Sequence, residues 1–344
     1  MQKSVAEEHP ELSHYTNAVG LAGIIQSQTL WATHYAYLND SEEIRYFGTD
    51  RLPNLLQTVG ETYLNELIAQ DQKKQLSIDQ CRGKGEIIDQ FVKETLVAQE
   101  NILFGNQNGK KPLTEPYIAS FCTTKDEDNR VKDHGLLSQW RGYGQEGGYA
   151  IVFDTSRLSN LLEQVHIKRE NSLNLFLGDV VYSSDPDTKF SLEFETDLRE
   201  IKIFFLNHLK KIDDSENLGK FYSALMKCAC RYKHWGFKEE NEVRIVAIPH
   251  PTENKEFCEL AEKKGATIQG IPRKHYLRSG LLIPFIDLFE DITSTKNPLP
   301  ITRIIVGPSV NAQERKKRIR SVEILLNQYS IKANVSASEI PYIG

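Results

Sequence analysis

Short strand-like segments follow one another along this chain without a regular alternation of strand and helix. Runs rich in β-branched and aromatic residues occur at 12–16, 29–37, 117–123, 149–153, 176–182, 242–248, 274–285, 302–306 and 331–336. Such composition is typical of strands that are buried or half-buried. Because several of these runs are close neighbours, a doubly wound parallel sheet is not expected. The order of elements instead predicts an α+β fold with a split or mostly antiparallel sheet.

Helical patterns fill much of the remaining chain. Asn17 is a candidate N-cap for the first helix, and residues 190–233 form a long helical stretch. Residues 41–110 are polar and helical, and we interpret them as an insertion that covers the sheet. Residues 250–272 have the charged composition of a loop. With no internal repeat or linker, the sequence predicts a single domain over 1–344 that contains this helical insertion.

The composition excludes several classes of protein. The chain has 344 residues and a formal net charge of −5, so no general attraction to nucleic acid is expected. No apolar run approaches the ~20 residues of a membrane span, and the N-terminal segment lacks the apolar run of a signal peptide. We therefore expect a cytoplasmic protein without membrane association. Cys228 and Cys230 have no second pair, and no two histidines share a metal-ligand spacing, which predicts no metal site.

The segment 138–144, Ser-Gln-Trp-Arg-Gly-Tyr-Gly, contains large aromatic side chains and a cation among glycines. Trp140 and Tyr143 could stack on a planar ring while Arg141 pairs with an anion. The alternative is a structural corner in which the aromatic side chains attach a loop to the core. The glycines that follow indicate a turn into the strand at 149–153.

A second polar segment, 234–244, places carboxylates at the start of an apolar strand. Glu240 and Glu242 lie two residues apart, so an extended chain would direct both to the same face. Two neighbouring acids push their pKa values apart, which suits them to different catalytic roles. Glu239 is expected to face solvent, and a solvated charged turn is the alternative for the whole segment. His14 ends the first strand and is a further candidate.

Several short motifs together resemble a bacterial uncharacterised family, DUF2971. They are HYT-x-x-x-x-L-x-x-I (14–24), LWAT-x-x-x-YLND (30–40), LSQWRGYG (137–144), GFKEE-x-EVR (236–244), VGPS (306–309) and EIPY (339–342). In its opening strand and its late E-x-E strand, that family is similar to the ADP-ribosyltransferase fold. The resemblance therefore implies a split, mostly antiparallel sheet of that type and NAD as the substrate that donates ADP-ribose.

The resemblance also implies roles for individual residues. The residues expected to contact NAD are His14, Tyr15, Thr16, Trp140, Arg141 and Tyr143. Glu242 would be the catalytic carboxylate, and Glu240 would orient or deprotonate the acceptor. The Ser-Thr-Ser strand motif of such enzymes is not evident, and Ser120 or Ser138 would take its place. Arg244 or Arg141 is expected to keep Glu242 ionised, so Glu242→Gln should reduce NAD turnover and preserve the fold.

The implied function is that of a toxin or phage-defence effector that modifies RNA or protein. Such a toxin would need a neutralising antitoxin as its partner, and a single-stranded RNA or a protein as its acceptor. Three alternatives stay open at this point. They are a nuclease that uses His14 or His134 with the carboxylates, a non-catalytic binding module of a defence complex built on the Trp140 segment, and an enzyme that only hydrolyses NAD.

Overall fold

A ten-stranded, mostly antiparallel sheet lies at the centre of the chain. The computed structural model describes residues 3–38, 43–71, 86, 89–90, 92–97, 100, 115–124, 129–144, 148–210, 212, 217–263, 265–294 and 297–341. The strands of this sheet are β1 (Glu11–Thr16), β2 (Trp31–His34), β3 (Tyr117–Cys122), β4 (Tyr149–Asp154), β5 (Leu173–Asp179), β8 (Glu242–Pro249), β9 (Lys274–Arg278), β10 (Leu281–Asp287), β11 (Ile301–Val306) and β12 (Asn334–Ala337). The short strands β6 (Val181–Tyr182) and β7 (Tyr232–Lys233) form a separate parallel pair.

Helices cover both faces of this sheet. Those in the described residues are α1 (Val5–Glu8), α2 (Ala18–Ser27), α3 (Glu43–Tyr46), α4 (Leu52–Asp71), α5 (Asn129–His134), α6 (Leu137–Tyr143), α7 (Thr155–Lys168), α8 (Asp187–Glu193), α9 (Glu195–Leu209), α10 (Leu218–Cys230), α11 (Lys255–Lys263) and α12 (Ala312–Gln328). A π-helical stretch, Phe47–Arg51, joins α3 to α4, and two 3-10 helices span Tyr35–Tyr37 and Trp235–Glu240. The mixture of strands and helices confirms the predicted α+β class.

The sheet divides beside β3. Along one side, β3 pairs with β8 over its whole length. On its other side, β1 pairs with Cys122 near the end of β3, and β2 pairs with Tyr117 and Ile118 near its beginning. From there β1 continues to β4, β11 and β12, whereas β2 continues to β10 and β9. The backbone of β3 between Ile118 and Cys122 is therefore the place where two groups of strands separate.

Side-chain alternation along β8 decides what each face of the sheet contains. Val243, Ile245 and Ala247 join the apolar cluster under α2, α7 and α12, while Val246 and Ile248 join a second cluster with α3, α4, α9 and α10. Because alternate residues of a strand point to the same face, Glu242 and Arg244 share the face of Val246 and Ile248. Two charged residues thus occupy the first two positions of an otherwise apolar, fully buried strand face.

Several elements differ from the sequence prediction. Residues 255–263 form the helix α11 where a loop was expected, because Phe257 and its neighbours place apolar side chains at helical spacing. The segment 138–144 is also helical, as part of α6, and the expected strand at 29–37 is confined to β2 before a 3-10 helix. Helices over 43–71 agree with the predicted helical segment 41–110, whose remaining residues lie largely outside the described ranges.

Candidate functional site

Five charged side chains meet at the Glu242 end of β8, and we call them the charge cluster: Glu43, Lys233, Glu240, Glu242 and Arg244. Lys233 Nζ lies 2.9 Å from Glu43 Oε1 and 2.7 Å from Glu240 Oε2. The same ammonium lies 3.2 Å from Glu242 Oε2. Residues from α3, β7, β8 and the 3-10 helix thus share one ionic network.

The local backbone brings Glu240 and Glu242 together in a way that the sequence pattern did not predict. Glu240 ends the 3-10 helix Trp235–Glu240, so the two acids do not lie on one extended strand. Asn241 between them has a left-handed conformation with φ of 41°, which asparagine tolerates better than most residues. The two carboxylates nevertheless converge, because both bind the ammonium of Lys233.

Arg244 holds Glu242 in a bidentate ion pair. Its Nε donates to Glu242 Oε1 at 2.8 Å, and one terminal nitrogen donates to Glu242 Oε2 at 2.9 Å. The guanidinium also donates to Glu43 and to the backbone oxygen of Cys230. Burial alone would raise the pKa of Glu242, but Arg244 and Lys233 outweigh it and hold that pKa well below its usual value. Glu242 is therefore ionised at neutral pH, as expected from the adjacent arginine.

Hydrogen-bond donors from β3, β7 and β8 surround the carboxylate of Glu242. Arg244 donates twice and Lys233 donates once, and a hydrogen bond to the side chain of Ser120, on the neighbouring strand β3, helps to lower the pKa of this carboxylate. An ionised carboxylate offers about four lone-pair positions, so these four donors satisfy it. A ligand hydroxyl can bind Glu242 only if it replaces a donor. The 3.2 Å contact of Lys233 is longer than the two contacts of Arg244, so we expect a ligand to replace Lys233 before Arg244.

Glu240 is the more accessible of the two acids. Its side chain is 17% exposed, compared with 5% for Glu242. Burial raises the pKa of Glu240, and the negative charge of Glu242 acts in the same direction, whereas Lys233 opposes the rise. The cluster contains three carboxylates and two cations, so its formal charge is −1 when all five groups are ionised. Proton uptake by Glu240 would make the cluster neutral, which suits this residue to acid–base chemistry.

His14 lies on β1 at the division of the sheet. Its Nδ1 is 2.8 Å from the backbone oxygen of Ser120, a group on the part of β3 that has no β1 or β2 residue in register. Burial lowers the pKa of His14, so the ring is neutral at pH 7. In that form Nδ1–H donates to the carbonyl and Nε2 is an acceptor. Strands β1, β3 and β8 thereby connect His14, Ser120 and Glu242.

The lowered pKa of His14 predicts a pH dependence of stability. The unfolded chain takes up a proton near about pH 6.5, whereas the folded chain does so only at a lower pH, so the free energy of unfolding should fall as the pH drops from 7 toward 5. His14→Gln should reduce this slope while still donating to the Ser120 oxygen. Urea unfolding at several pH values measures it. His250→Gln is the control. Burial also lowers the pKa of His250, so His250 should account for the part of the pH slope that remains in His14→Gln. An unchanged slope in His14→Gln would contradict the assignment.

Trp140 and Tyr15 are core residues, contrary to the stacking role expected for them. Trp140 is 1% exposed, and its ring packs edge-on against Tyr15 at a centroid distance of 4.8 Å. Its Nε1 donates to the backbone oxygen of His134, and the Tyr15 hydroxyl accepts from the backbone of Leu136. Neither ring has an open face for a planar ligand. The two rings instead form an aromatic corner that attaches α6 to β1, which is the structural alternative for this segment.

The other expected NAD contacts occupy different environments. Arg141 is exposed on α6, and Thr16 is half-buried at the end of β1. Tyr143 is 37% exposed. Burial raises the pKa of the Tyr143 hydroxyl, and the negative charges of Glu242 and Glu240 act in the same direction. Within segment 138–144, Tyr143 is therefore the residue whose pKa the two acids raise.

Two members of the charge cluster were not among the predicted site residues. Lys233 precedes the polar segment 234–244, and Glu43 is remote in sequence on α3. The signal that could have indicated them is the pair Glu242 and Arg244 on one face of an apolar strand. Charged groups buried in this way need ionic partners from other elements. The sequence could therefore predict that partners exist, but not which residues they are.

One group of side chains in the described part of the chain has the composition of a cation site. Glu8, His9 and Asp179 have potential ligand atoms within 4.8 Å of one another. Within this group, His9 Nε2 lies 2.7 Å from Asp179 Oδ1, a distance that a direct hydrogen bond explains.

Cys228 and Cys230 are buried free thiols. In the same described part of the chain, no helix has the length and apolar character needed to cross a membrane.

Comparison with known proteins gives one finding. The model of a family described as a protein of unknown function, DUF2971, matches residues 139–245. This match supports the resemblance to that uncharacterised family, and it includes four members of the charge cluster but neither His14 nor Ser120. No curated protein matches the chain, and no solved structure matches it.

Proposed function

We propose that this chain is an NAD-dependent ADP-ribosyltransferase of the toxin or phage-defence type. The observation that supports this proposal is the connection of His14, Ser120 and Glu242 across β1, β3 and β8 at the division of the sheet. The neutral His14 can accept a hydrogen bond from one ribose of NAD. The ionised carboxylate of Glu242, which is hydrogen-bonded to Ser120, suits the other ribose. The motif resemblance implies roles for His14 and Glu242, and it offers Ser120 or Ser138 in place of the Ser-Thr-Ser strand motif.

The proposed reaction transfers ADP-ribose to an acceptor. The bond between ribose C1′ and the nicotinamide nitrogen breaks, and nicotinamide leaves with the electron pair. A bond from the acceptor nucleophile to C1′ forms, and Glu240 takes the proton that the nucleophile loses. Glu242 stabilises the positive charge that develops on the ribose, an electrostatic role that a preorganised carboxylate performs well. Access to Glu242 requires Lys233 to shift from Glu242 toward Glu43 and Glu240, which already bind it.

Incubation of the purified chain with labelled NAD tests the proposal directly. Separate reactions would contain RNA, DNA or protein, and nicotinamide release would be measured in each. We expect nicotinamide release together with label in one macromolecular pool. Release without label in any pool would indicate hydrolysis of NAD alone. Absence of both release and label would contradict the proposal.

Ser120 provides a milder test of the same site. Ser120→Ala removes one donor to the Glu242 carboxylate and should lower NAD turnover by about tenfold, since a hydrogen bond to a charged group contributes about 1.5–3 kcal/mol. Steady-state nicotinamide release measures this change. Ser13→Ala, a half-buried serine on the neighbouring strand β1, is the matched control and should keep wild-type turnover. Equal turnover in wild type and Ser120→Ala would remove Ser120 from the site.

A non-catalytic binding module is the second candidate. The observation that favours it is the full set of donors around Glu242, which leaves that carboxylate no acceptor position for a substrate without rearrangement. In that case the charge cluster serves only to join α3, β7 and β8. A thermal-shift titration separates the candidates, because NAD should stabilise the enzyme and should leave the binding module unchanged.

A further inference from the structure

Trp235 is the most exposed aromatic side chain near the charge cluster. It is 60% exposed, whereas Trp140 is buried and Trp31 is half-buried. An indole ring on the surface carries a large apolar area that water solvates poorly, and such rings often mark binding surfaces. Neither the charge cluster nor the proposed NAD contacts use this ring, so its exposure requires another explanation.

The backbone beneath Trp235 is held firmly. Its backbone nitrogen donates to Ser183 Oγ at 3.1 Å, and the nitrogen of Phe237 donates to the oxygen of His234 at 3.1 Å. His234 Nδ1 accepts from the nitrogen of Gly236, which fixes the imidazole beside the indole with ring centroids 5.1 Å apart. Tyr46 also contacts His234 edge-on, with ring centroids 5.5 Å apart. The exposed indole is therefore presented on a preorganised turn, which reduces the entropy lost when a ligand binds.

The turn that carries Trp235 also carries Glu240. In a 3-10 helix, residues three apart share a face, and Phe237 and Glu240 both face Lys233. Trp235 precedes Glu240 by five residues, which corresponds to about 10 Å along the helix axis and places the two side chains on different faces of the helix. A base stacked on Trp235 would thus belong to a nucleotide next to the one that approaches the carboxylate proposed to accept the proton.

The cations around this turn are already paired. Lys238 lies 2.8 Å from Asp185, which also binds Lys189 at 3.1 Å. Arg51 and Asp187 form a further pair at 2.5 Å. Because two lysines share Asp185, this surface carries only a small excess of positive charge, less than a groove that tracks a phosphate backbone needs. It favours recognition of the planar face of a single base, which stacks on aromatic rings irrespective of charge.

We infer that Trp235, supported by His234, is the stacking site for an unpaired nucleobase of the acceptor, a single-stranded nucleic acid. This inference rests on the proposed function, since it assigns the acceptor of that reaction. A base stacked on Trp235 would direct a neighbouring nucleotide of the same strand toward Glu240, which lies on another face of the same short helix. The base in a duplex is already stacked on its neighbours, so a paired nucleic acid does not bind in this way.

Binding of short oligonucleotides in the absence of NAD tests the inference. Hexamers of single-stranded RNA and DNA, the corresponding duplexes and a peptide of mixed sequence would be titrated by fluorescence anisotropy. We expect Trp235→Leu to weaken single-strand binding by about tenfold or more and Trp235→Phe to retain most of it. The affinity should fall only slightly with salt, because few counterions are released. Indole fluorescence of the wild type should be quenched on binding, and that of Trp235→Phe should not.

Leu277→Ala is the matched control, because Leu277 is 72% exposed on the separate strand β9. Its affinity should equal that of the wild type. Binding of RNA alone, DNA alone or both supports the inference and identifies the sugar. Equal binding by Trp235→Leu, equal binding of duplexes, or binding of the peptide instead would overturn it. Because no NAD is present, these outcomes are independent of whether the chain transfers ADP-ribose.

Discussion

Replacing Arg244 by methionine should lower the free energy of unfolding by about 3–5 kcal/mol, the range for removing one partner of a buried ionic network. Arg244 is almost completely buried and donates to Glu242, Glu43 and the backbone oxygen of Cys230. Methionine fills most of the volume but leaves three carboxylates with one cation. The loss should appear as a lower urea midpoint with an unchanged m-value, because the folded structure remains equally compact.

Arg303→Met is the control for this experiment. Arg303 also pairs with two carboxylates, Glu11 and Asp133, but its side chain is more exposed, and Asp133 lies largely in solvent. Such pairs contribute about 0–1 kcal/mol, so the variant should stay close to the wild type. If Arg244→Met were destabilised no more than Arg303→Met, the charge cluster would not be the buried network described above.

The fold could be predicted from the sequence where a local pattern decided the structure. The strand at Glu242–Pro249 and the helix capped by Asn17 follow from apolar periodicity and capping chemistry. The mostly antiparallel sheet followed from the sequence of neighbouring strands. The helix Lys255–Lys263 was not predicted, because its many charged residues obscured a narrow apolar stripe. The pairing of β1 and β2 with the same side of β3 depends on contacts between distant residues, which no local pattern determines.

The site was predictable to a smaller extent. Glu242 and Arg244 were indicated by charge on an apolar strand, whereas Glu43 and Lys233 are joined to them by tertiary contacts alone. Trp140 was expected to bind a ligand because an indole can stack, but the same chemistry lets it fill a core. Residue type therefore indicated which side chains could bind a ligand. Burial, which depends on the whole fold, decided that Trp140 is structural and that Trp235 is exposed.

The charge cluster joins the stability of the chain to its proposed chemistry. Glu242 must be ionised to stabilise a developing cation, and a buried carboxylate stays ionised only beside cations. Arg244 supplies that charge from the same strand, and Lys233 supplies it from β7. The same donors that keep Glu242 charged also occupy its oxygens. A substrate hydroxyl that displaces Lys233 would exchange one donor for another, so the carboxylate would remain satisfied during binding.

Glu242→Gln should reduce NAD turnover by at least ~10²-fold, the scale for losing one key electrostatic group. The sequence predicted that this variant would preserve the fold. The structure changes that expectation, because the neutral amide leaves Arg244 and Lys233 with less negative charge and cannot accept at both terminal atoms. We therefore expect lower stability as well, and turnover must be measured well below the melting temperature, per folded molecule. Glu239→Gln, an exposed neighbour, should match the wild type in both respects. Wild-type turnover in folded Glu242→Gln would exclude Glu242 as the catalytic carboxylate.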